Sequence, residues 1–319
     1  MKCLIVDDIH EVLISGLEKI GIEVIYKPFI AREDALLLLN DIGIIVVRSK
    51  FLIDREVIDS APSLKAIARA GAGIDNIDEE YAKFKNIKIF HAAAGNSDAV
   101  AEHTMAMILG LLAKIASADK SVRNGIWDRE KYRGIELKGK TVGILGYGNM
   151  GQAVAVRLKS FGCKIIAYDK YLMDWPDENA SRVEFEQLCL ESEILTLHIP
   201  LTSETNGLVD IEFLKKFRKG LFLLNMSRGK ILSLEGLSTL LQQGLLSGVA
   251  LDVLEDEPPL KKNQALSAKY LSLFEREDVL FSPHIGGWTI ESYKKIATVL
   301  EDKIRQFYKI GRASCRERV

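Results

Sequence analysis

Eleven short apolar runs separated by amphipathic segments constrain the fold of this 319-residue chain more than any other feature. Runs such as Leu221-Phe222-Leu223-Leu224 are apolar without alternation, which is expected of strands covered on both faces. Strands that alternate with helices form parallel sheets with right-handed crossovers, so the pattern predicts an α/β protein. The predicted strands lie in CLIVDD, IEVIY, GIIVVRS, LKAIARA, IKIFHA, TVGILGYG, KIIAYD, EILTLHIP, LFLLNMS, GVALDV and DVLFSPH.

Eleven strands are many for one sheet, and the longest helical pattern, residues 97–125, separates the fifth strand from the sixth. We therefore expect two doubly wound parallel-sheet domains of the Rossmann type. The amphipathic pattern after the last strand is expected to return to the first domain, which makes that domain discontinuous. The predicted domains are residues 1–96 plus 290–309, flavodoxin-like, and residues 97–289.

The last ten residues, IGRASCRERV, do not continue the helical periodicity that precedes them. They resemble one reading frame of a DNA sequencing adapter. We expect residues 310–319 to be a non-native read-through tail.

The composition excludes several classes of protein. A net charge of -1 gives no reason to expect nucleic acid or an acidic membrane as partner, and no apolar run approaches the roughly 18 residues of a membrane span. The first twelve residues, MKCLIVDDIHEV, lack the apolar core of a secretion signal. The four cysteines, Cys3, Cys163, Cys189 and Cys315, have no metal-like spacing, and no metal site is predicted. Cys3, Cys163 and Cys189 are interpreted as buried thiols, which fits a cytoplasmic protein.

A glycine-rich turn is the most informative motif. Gly146, Gly148 and Gly151 form G-x-G-x-x-G between a strand and a helix, and the next strand ends in Asp169. This context favours a dinucleotide site, in which the glycines allow a tight turn, close approach of a pyrophosphate and close helix–strand packing. Asp169 would bind the ribose hydroxyls and repel a 2'-phosphate, which predicts NAD rather than NADP. The alternative is a tight turn without a ligand.

Three strand ends carry residues suited to chemistry on a hydroxy acid. His284 follows a strand and precedes Gly286 and Gly287, which allow close approach of another molecule. A hydroxy acid dehydrogenase needs a proton acceptor, a carboxylate beside it and a cation for the substrate's anion. His284, one acid of the ALDVLEDEPP segment and Arg228 would fill these roles; the alternatives are a solvated acidic loop and an arginine in water. His198 could line the cofactor cleft, whereas His10, His91 and His103 are interpreted as structural.

Six motifs in order, RAGAGIDNID, GILGYGNMG, LHIPLTSET, LNMSRGK, ALDVLEDEP and SPHIGG, resemble those of the D-isomer-specific 2-hydroxyacid dehydrogenases. The resemblance covers the chain to about residue 309. It implies that Arg228, Glu257 and His284 are catalytic. Arg228 would hold the substrate carboxylate, His284 would exchange the hydroxyl proton, and Glu257 would hydrogen-bond the imidazole.

The resemblance also implies the ligand contacts. The first domain would bind substrate and the second NAD. Asp252 and the Met226 carbonyl would meet the nicotinamide, and Ile199 would face the adenosine. The other implied cofactor contacts are Asn149, Met150, Pro200, Ser227, Gly286 and Gly287. The implied substrate contacts are Gly71, Ala72, Gly73 and Asn96.

Within the family the chain most resembles the phosphoglycerate dehydrogenases, which implies oxidation of 3-phospho-D-glycerate in serine biosynthesis. Arg48 and Ser49 would bind the phosphate. Trp288, where smaller residues are common, and the long span from Glu257 to His284 depart from that pattern. Reduction of glyoxylate, hydroxypyruvate or another 2-keto acid and a non-enzymatic NAD-binding regulator are the alternatives. The long helical pattern at 97–125 and residues 121–137 resemble the family's dimer-forming arm, which predicts a homodimer.

Overall fold

The computed structural model describes residues 1–257 and 267–316. The eleven predicted strands are present and every strand pair is parallel, which confirms the α/β fold class. A twelfth strand of two residues was too short to leave a sequence pattern. The strands of the described residues are β1 Lys2–Ile5, β2 Glu23–Tyr26, β3 Ile42–Val47, β4 Ala66–Arg69, β5 Lys88–His91, β6 Thr141–Leu145, β7 Lys164–Tyr168, β8 Ser181–Arg182, β9 Ile194–Leu197, β10 Leu221–Asn225, β11 Leu246–Leu251 and β12 Val279–Phe281.

The helices correct one prediction. The helical pattern at 97–125 is two helices bent by 61°, because the chain breaks at Lys114, which has a left-handed φ of 54°. Within the described ranges no single helix is long and apolar enough to cross a membrane, and only this bent pair passes that test together. The α-helices are α1 Glu11–Lys19, α2 Arg32–Leu36, α3 Arg55–Asp59, α4 Glu79–Phe84, α5 Ser97–Leu112, α6 Ile115–Arg123, α7 Asn149–Lys159, α8 Phe185–Glu191, α9 Ile211–Leu214, α10 Leu237–Gln242, α11 Ala268–Phe274 and α12 Ile290–Arg316.

The chain divides into two compact units, and unit 1 comprises residues 1–96 and 288–319. Its five-stranded sheet has the order β2-β1-β3-β4-β5. Successive residues of β3 enter different core clusters, Ile44 and Val46 on one face and Ile45 and Val47 on the other. Both faces of this sheet are therefore covered, as the unbroken apolar runs predict.

Helix α12 packs against α1 within unit 1. A side-chain carbon on Gly16 would lie 2.4 Å from the Glu301 side chain, so only glycine allows this approach. The helix continues past residue 309 to Arg316.

Unit 2 comprises residues 97–287, and its sheet has the order β12-β11-β10-β9-β6-β7-β8. The strand order reverses between β6 and β9, and ligands of open parallel sheets bind at the carboxyl ends of strands beside such a reversal. Leu221 and Leu223 pack on one face of this sheet, and Phe222 and Leu224 pack on the other.

The cysteine interpretation is confirmed for Cys3 and Cys189, which carry buried free thiols, while Cys163 is half-buried. Burial raises the pKa of the Cys3 thiol to about 12 and that of Cys189 to about 11. The side chain of Cys315 lies outside the described residues.

Candidate active site

Most of the chemistry-bearing residues predicted in unit 2 lie along one edge of its sheet. Parallel strands place all their carboxyl ends at the same edge, so residues far apart in sequence are brought side by side. Reading across the sheet, the edge carries His284 after β12, Asp252 and Glu257 after β11, Arg228 after β10, His198 after β9, the glycine-rich turn after β6 and Asp169 after β7.

His284 and Glu257 form a hydrogen-bonded pair. The imidazole Nδ1 lies 2.7 Å from Glu257 Oε2, and both side chains remain partly exposed. Glu257 Oε1 accepts a hydrogen bond from the Leu254 backbone N–H at 2.9 Å, which fixes the carboxylate. An ionised carboxylate only accepts hydrogen bonds, so Nδ1 carries the proton that faces it. Nε2 is then the nitrogen with a free lone pair.

The turn that carries His284 is held in an unusual backbone conformation. His284 has a φ of 55°, in the left-handed region that non-glycine residues seldom adopt. Asp252 holds the turn, since its carboxylate accepts hydrogen bonds from the N–H groups of Ile285 at 2.9 Å and Gly286 at 2.8 Å. The Ser282 hydroxyl donates to the same carboxylate at 2.6 Å. Asp252 therefore holds the backbone turn that presents His284, and Glu257 holds the imidazole.

The Asp252 carboxylate stays charged although it is almost fully buried. Burial acts to raise its pKa, but hydrogen bonds from His103, Ser282 and the two backbone amides outweigh burial and lower the pKa to about 2. His103 Nε2 lies 3.3 Å from Asp252 Oδ1 and 2.9 Å from the Ser282 hydroxyl.

Sequence reasoning missed His103 as part of this site. It lies on α5, 179 residues before Ser282, and no local pattern links the two residues. Asp252 was predicted to contact the nicotinamide, and that contact stays a prediction. Its hydrogen bonds to Ser282, Ile285 and Gly286 hold the turn that carries His284.

Arg228 follows β10 in a tightly bonded segment. Fully buried Asn225 donates to the Arg228 carbonyl at 3.0 Å and accepts from the N–H and hydroxyl groups of Ser227 at 3.0 and 2.8 Å. The Arg228 guanidinium donates to the Ser227 carbonyl at 2.8 Å. Met226 and Ser227 are buried, and the Ser227 hydroxyl is engaged inside the protein. Asn225, absent from the predicted site, thus fixes the backbone that presents Arg228.

The glycine-rich turn has the geometry of a dinucleotide cradle. Gly146 has a φ of 92°, and a side-chain carbon there would lie 2.7 Å from the His198 carbonyl oxygen. A side-chain carbon on Gly151 would lie 2.2 Å from the Gly146 oxygen. At Gly148, by contrast, such an atom would meet no atom of the described residues within 4 Å. The open space lies at the N-terminus of α7, which begins with Asn149 and Met150, and suits a pyrophosphate.

The Asp169 carboxylate is oriented by three backbone amides. Tyr147 N–H donates to Oδ2 at 2.8 Å, and the amides of Tyr171 and Leu172 donate to Oδ1 at 3.0 and 3.1 Å. Each carboxylate oxygen can accept more than one hydrogen bond, so both remain able to bind ribose hydroxyls. The residues present therefore fit NAD.

His198 lies beside the cradle and is held neutral by its surroundings. Burial lowers its pKa to about 4, and its Nε2 is 2.9 Å from the Thr196 hydroxyl. Buried Nδ1 has no hydrogen-bond partner among the described residues. Ile199 packs against the core, and the Pro200 carbonyl accepts a hydrogen bond from Thr205 at 2.6 Å.

The predicted substrate residues belong to unit 1 and follow its strands. Gly71, Ala72 and Gly73 come after β4, and Gly71 is buried with a φ of 153°. Asn96 follows β5 and a short 3-10 helix, Ala93–Gly95, and its buried Oδ1 has no hydrogen-bond partner in the described part of the chain. Arg48 and Ser49 follow β3.

The backbone at the Arg48 strand end binds a carboxylate of the protein itself. Asp7 Oδ2 accepts the backbone N–H groups of Arg48, Ser49 and Lys50 at 2.5, 3.2 and 3.3 Å. Three amides that would suit an external anion are therefore already bound to a carboxylate of the protein. No local sequence pattern indicates this role for Asp7, because Arg48 lies 41 residues away.

Comparisons with known proteins agree with this geometry. Residues 105–286 match the family model described as D-isomer specific 2-hydroxyacid dehydrogenase, NAD binding domain. The D-3-phosphoglycerate dehydrogenase of Methanocaldococcus jannaschii is 37% identical over 312 residues, which are 96% of this chain and 57% of that protein. The hydroxypyruvate reductase of Thermotoga maritima is 36% identical over 275 residues, 86% of this chain and 87% of that protein.

The fold agrees as well. The crystal structure of a glyoxylate reductase from Paecilomyes thermophila has a TM-score of 0.84 at 27% identity, covering 96% of this chain and 94% of that one. Together with the matched family model, these similarities confirm what the six motifs indicate: the chain belongs to the D-isomer specific 2-hydroxyacid dehydrogenase family, and residues 105–286 are its NAD-binding domain.

Proposed function

We propose that this chain is an NAD-dependent dehydrogenase of D-2-hydroxy acids and that its favoured reaction is oxidation of 3-phospho-D-glycerate to 3-phosphohydroxypyruvate. The observation that carries the proposal is the His284–Glu257 pair, 2.7 Å apart at the sheet edge that also carries the open glycine cradle. That edge combines a site for a dinucleotide with a group able to move a proton.

NAD would be held by the cradle at Gly146 and Gly148, by the start of α7 and by Asp169. NAD held there would supply the acceptor for the hydride that leaves the carbon bearing the hydroxyl group. Asp169 selects against a 2'-phosphate by charge repulsion. Asp252 would face the nicotinamide while it holds the His284 turn.

His284 takes the hydroxyl proton through Nε2, because Nδ1 faces Glu257. The Glu257 carboxylate keeps the proton on Nδ1 and stabilises the imidazolium that forms. In the direction of reduction the same Nε2 returns the proton.

Arg228 holds the substrate carboxylate and polarises the carbonyl of the keto acid. A guanidinium suits this role, because its planar donors match a carboxylate. The backbone of Gly71, Ala72 and Gly73 would supply further contacts to that carboxylate.

The choice of substrate is supported by similarity and by Arg48. The chain spans 57% of the length of the Methanocaldococcus phosphoglycerate dehydrogenase, whose activity therefore comes to this chain only as a proposal. The Arg48 guanidinium supplies a cation for a phosphate. The second candidate is reduction of hydroxypyruvate or glyoxylate. It is favoured by the similarity to the Thermotoga hydroxypyruvate reductase, of which the chain covers 87%. It is also favoured because Asp7 already accepts the three backbone N–H groups that could otherwise bind a phosphate.

Absorbance in the NADH band tests the proposal. Purified protein is given NAD with 3-phospho-D-glycerate, and separately NADH with hydroxypyruvate, glyoxylate and pyruvate. NADH formed with phosphoglycerate supports the favoured reaction and a place in serine biosynthesis. Turnover of unphosphorylated keto acids alone supports the second candidate. Tight NADH binding without turnover of any acid would contradict both and favour a regulator.

We also propose a homodimer formed by residues 121–137. Within that segment Val122, Ile126, Trp127 and Ile135 are large apolar residues exposed on the single chain. Exposed apolar side chains such as these favour association with a second copy. Light scattering should give twice the chain mass, and Trp127→Asp should shift it toward the monomer; a monomeric wild type would refute the proposal.

A further inference from the structure

Asp7 holds the backbone of Arg48 in place. This arginine follows β3, and its N–H is the nearest of the three amides that bind Asp7 Oδ2, at 2.5 Å. Asp7 engages the amides of residues 48–50, and Lys50 Nζ donates to the Pro28 carbonyl at 2.5 Å. The guanidinium of Arg48 is therefore the group that we consider for binding an anion at this strand end.

The guanidinium itself is partly removed from water. Burial lowers the pKa of Arg48, and the nearby Asp7 carboxylate acts in the opposite direction. Among the described residues nothing accepts a hydrogen bond from the guanidinium. Its Cζ lies 3.9 Å from the ring centroid of Trp288, so the indole covers one face of the cation.

Trp288 is not a core residue. It is 66% exposed, and core packing does not account for a large aromatic side chain at this position. Its backbone is fixed because Thr289 and Ser292 exchange hydrogen bonds of 3.0 Å at the start of α12. The indole is therefore presented to Arg48 by the segment that leads into α12, and the stack is the contact that explains it.

We propose that Trp288 is a specificity-determining residue, which holds Arg48 so that its free edges bind a second anionic group, a phosphate or a carboxylate, on the hydroxy acid. A guanidinium with one face covered presents its in-plane donors, which match an oxyanion in two-point contact. The indole also removes rotational freedom that the side chain would otherwise lose on binding. This inference rests on the proposed function, and it identifies the second anionic group as the feature of the substrate that Arg48 recognises.

The test compares three hydroxy acids: 3-phospho-D-glycerate, D-malate with a second carboxylate, and D-glycerate with neither. For each, kcat/KM is measured for wild type, Trp288→Leu, Trp288→Phe and Arg48→Lys. The control is Phe84→Leu, since Phe84 is another exposed aromatic residue of unit 1, 75% exposed, whose ring stacks on Tyr81.

Trp288→Leu should lower the preference for the phosphorylated acid over D-glycerate by roughly 5- to 30-fold, the scale of a partly desolvated cation–π contact. Arg48→Lys should lower it at least as far, because an ammonium lacks the planar fork. Trp288→Phe should retain most of the preference, and Phe84→Leu all of it. A loss confined to D-malate would identify a carboxylate as the group recognised.

Unchanged preferences for both anionic acids in Trp288→Leu would overturn the inference. Calorimetric binding of the same three acids in the presence of NADH separates it from the proposed function. If the wild type turns over none of the three acids, the proposed function is refuted. The inference is then decided by binding: for wild type and for Trp288→Leu, the dissociation constant of each anionic acid is compared with that of D-glycerate.

Discussion

The strongest prediction concerns Asp252→Asn, which should destabilise unit 2 and slow turnover together. The carboxylate accepts hydrogen bonds from Ser282, Ile285 and Gly286, and it is only 3% exposed. An amide keeps one oxygen and replaces the other with a donor, so at least one buried N–H or hydroxyl group faces another donor. A buried group left unsatisfied costs about 1–3 kcal/mol.

The pKa of Asp252 gives an independent magnitude. A fall from 3.8 to about 2 corresponds to about 2 kcal/mol of stabilisation by the ionised form. Because the folded pKa is depressed, this stabilisation is present above pH 4 and is lost as the pH falls toward 2. Protonated Asp252 resembles asparagine, so the difference between wild type and variant should shrink in acid.

Urea unfolding followed by circular dichroism measures the effect. We expect a loss of about 2–4 kcal/mol at pH 7 that narrows by pH 3, with a lower kcat because the His284 turn loosens. The matched control is Asp278→Asn, in which the half-exposed carboxylate that pairs with Arg276 at 2.7 Å is neutralised; it should cost less than about 1 kcal/mol. Equal stability and equal turnover of Asp252→Asn and wild type would refute the reasoning.

Two further predictions test the remaining groups. His284→Ala should lower turnover by roughly 100-fold or more while NADH binding, followed by fluorescence titration, stays near the wild-type value; unchanged turnover would remove His284 as the proton acceptor. Asp169→Ala should raise kcat/KM with NADP relative to NAD, because the carboxylate that repels a 2'-phosphate is gone and Lys170 lies next to it in sequence. A wild type that already prefers NADP would contradict the role of Asp169.

Most of the architecture was predictable, because it depends on short-range patterns. Unbroken apolar runs predict strands covered on both faces, and the spacing of Gly146, Gly148 and Gly151 after one of them predicts the cradle. Asp169 is found where the next strand ends. Each of these features is encoded within about 30 residues, where backbone sterics and hydrophobic periodicity act directly.

The features that were missed are decided by contacts between distant segments. The helix pattern at 97–125 shows no break at Lys114, and β8 is too short to have a period. The sequence alone suggested a site for His284 through its strand end and neighbouring glycines, and family resemblance supplied Glu257 as its partner.

Only the tertiary structure assigned the groups that hold these residues in place. His103 reaches Asp252 from another element, Asp7 binds the amides beside Arg48, and Trp288 covers the guanidinium of that arginine. A buried carboxylate or a half-buried cation must find partners wherever the fold brings them, and those partners lie up to about 240 residues away in the chain. The sequence by itself therefore determined which chemistry the strand ends carry, and the packing of the sheets decided which side chains orient it.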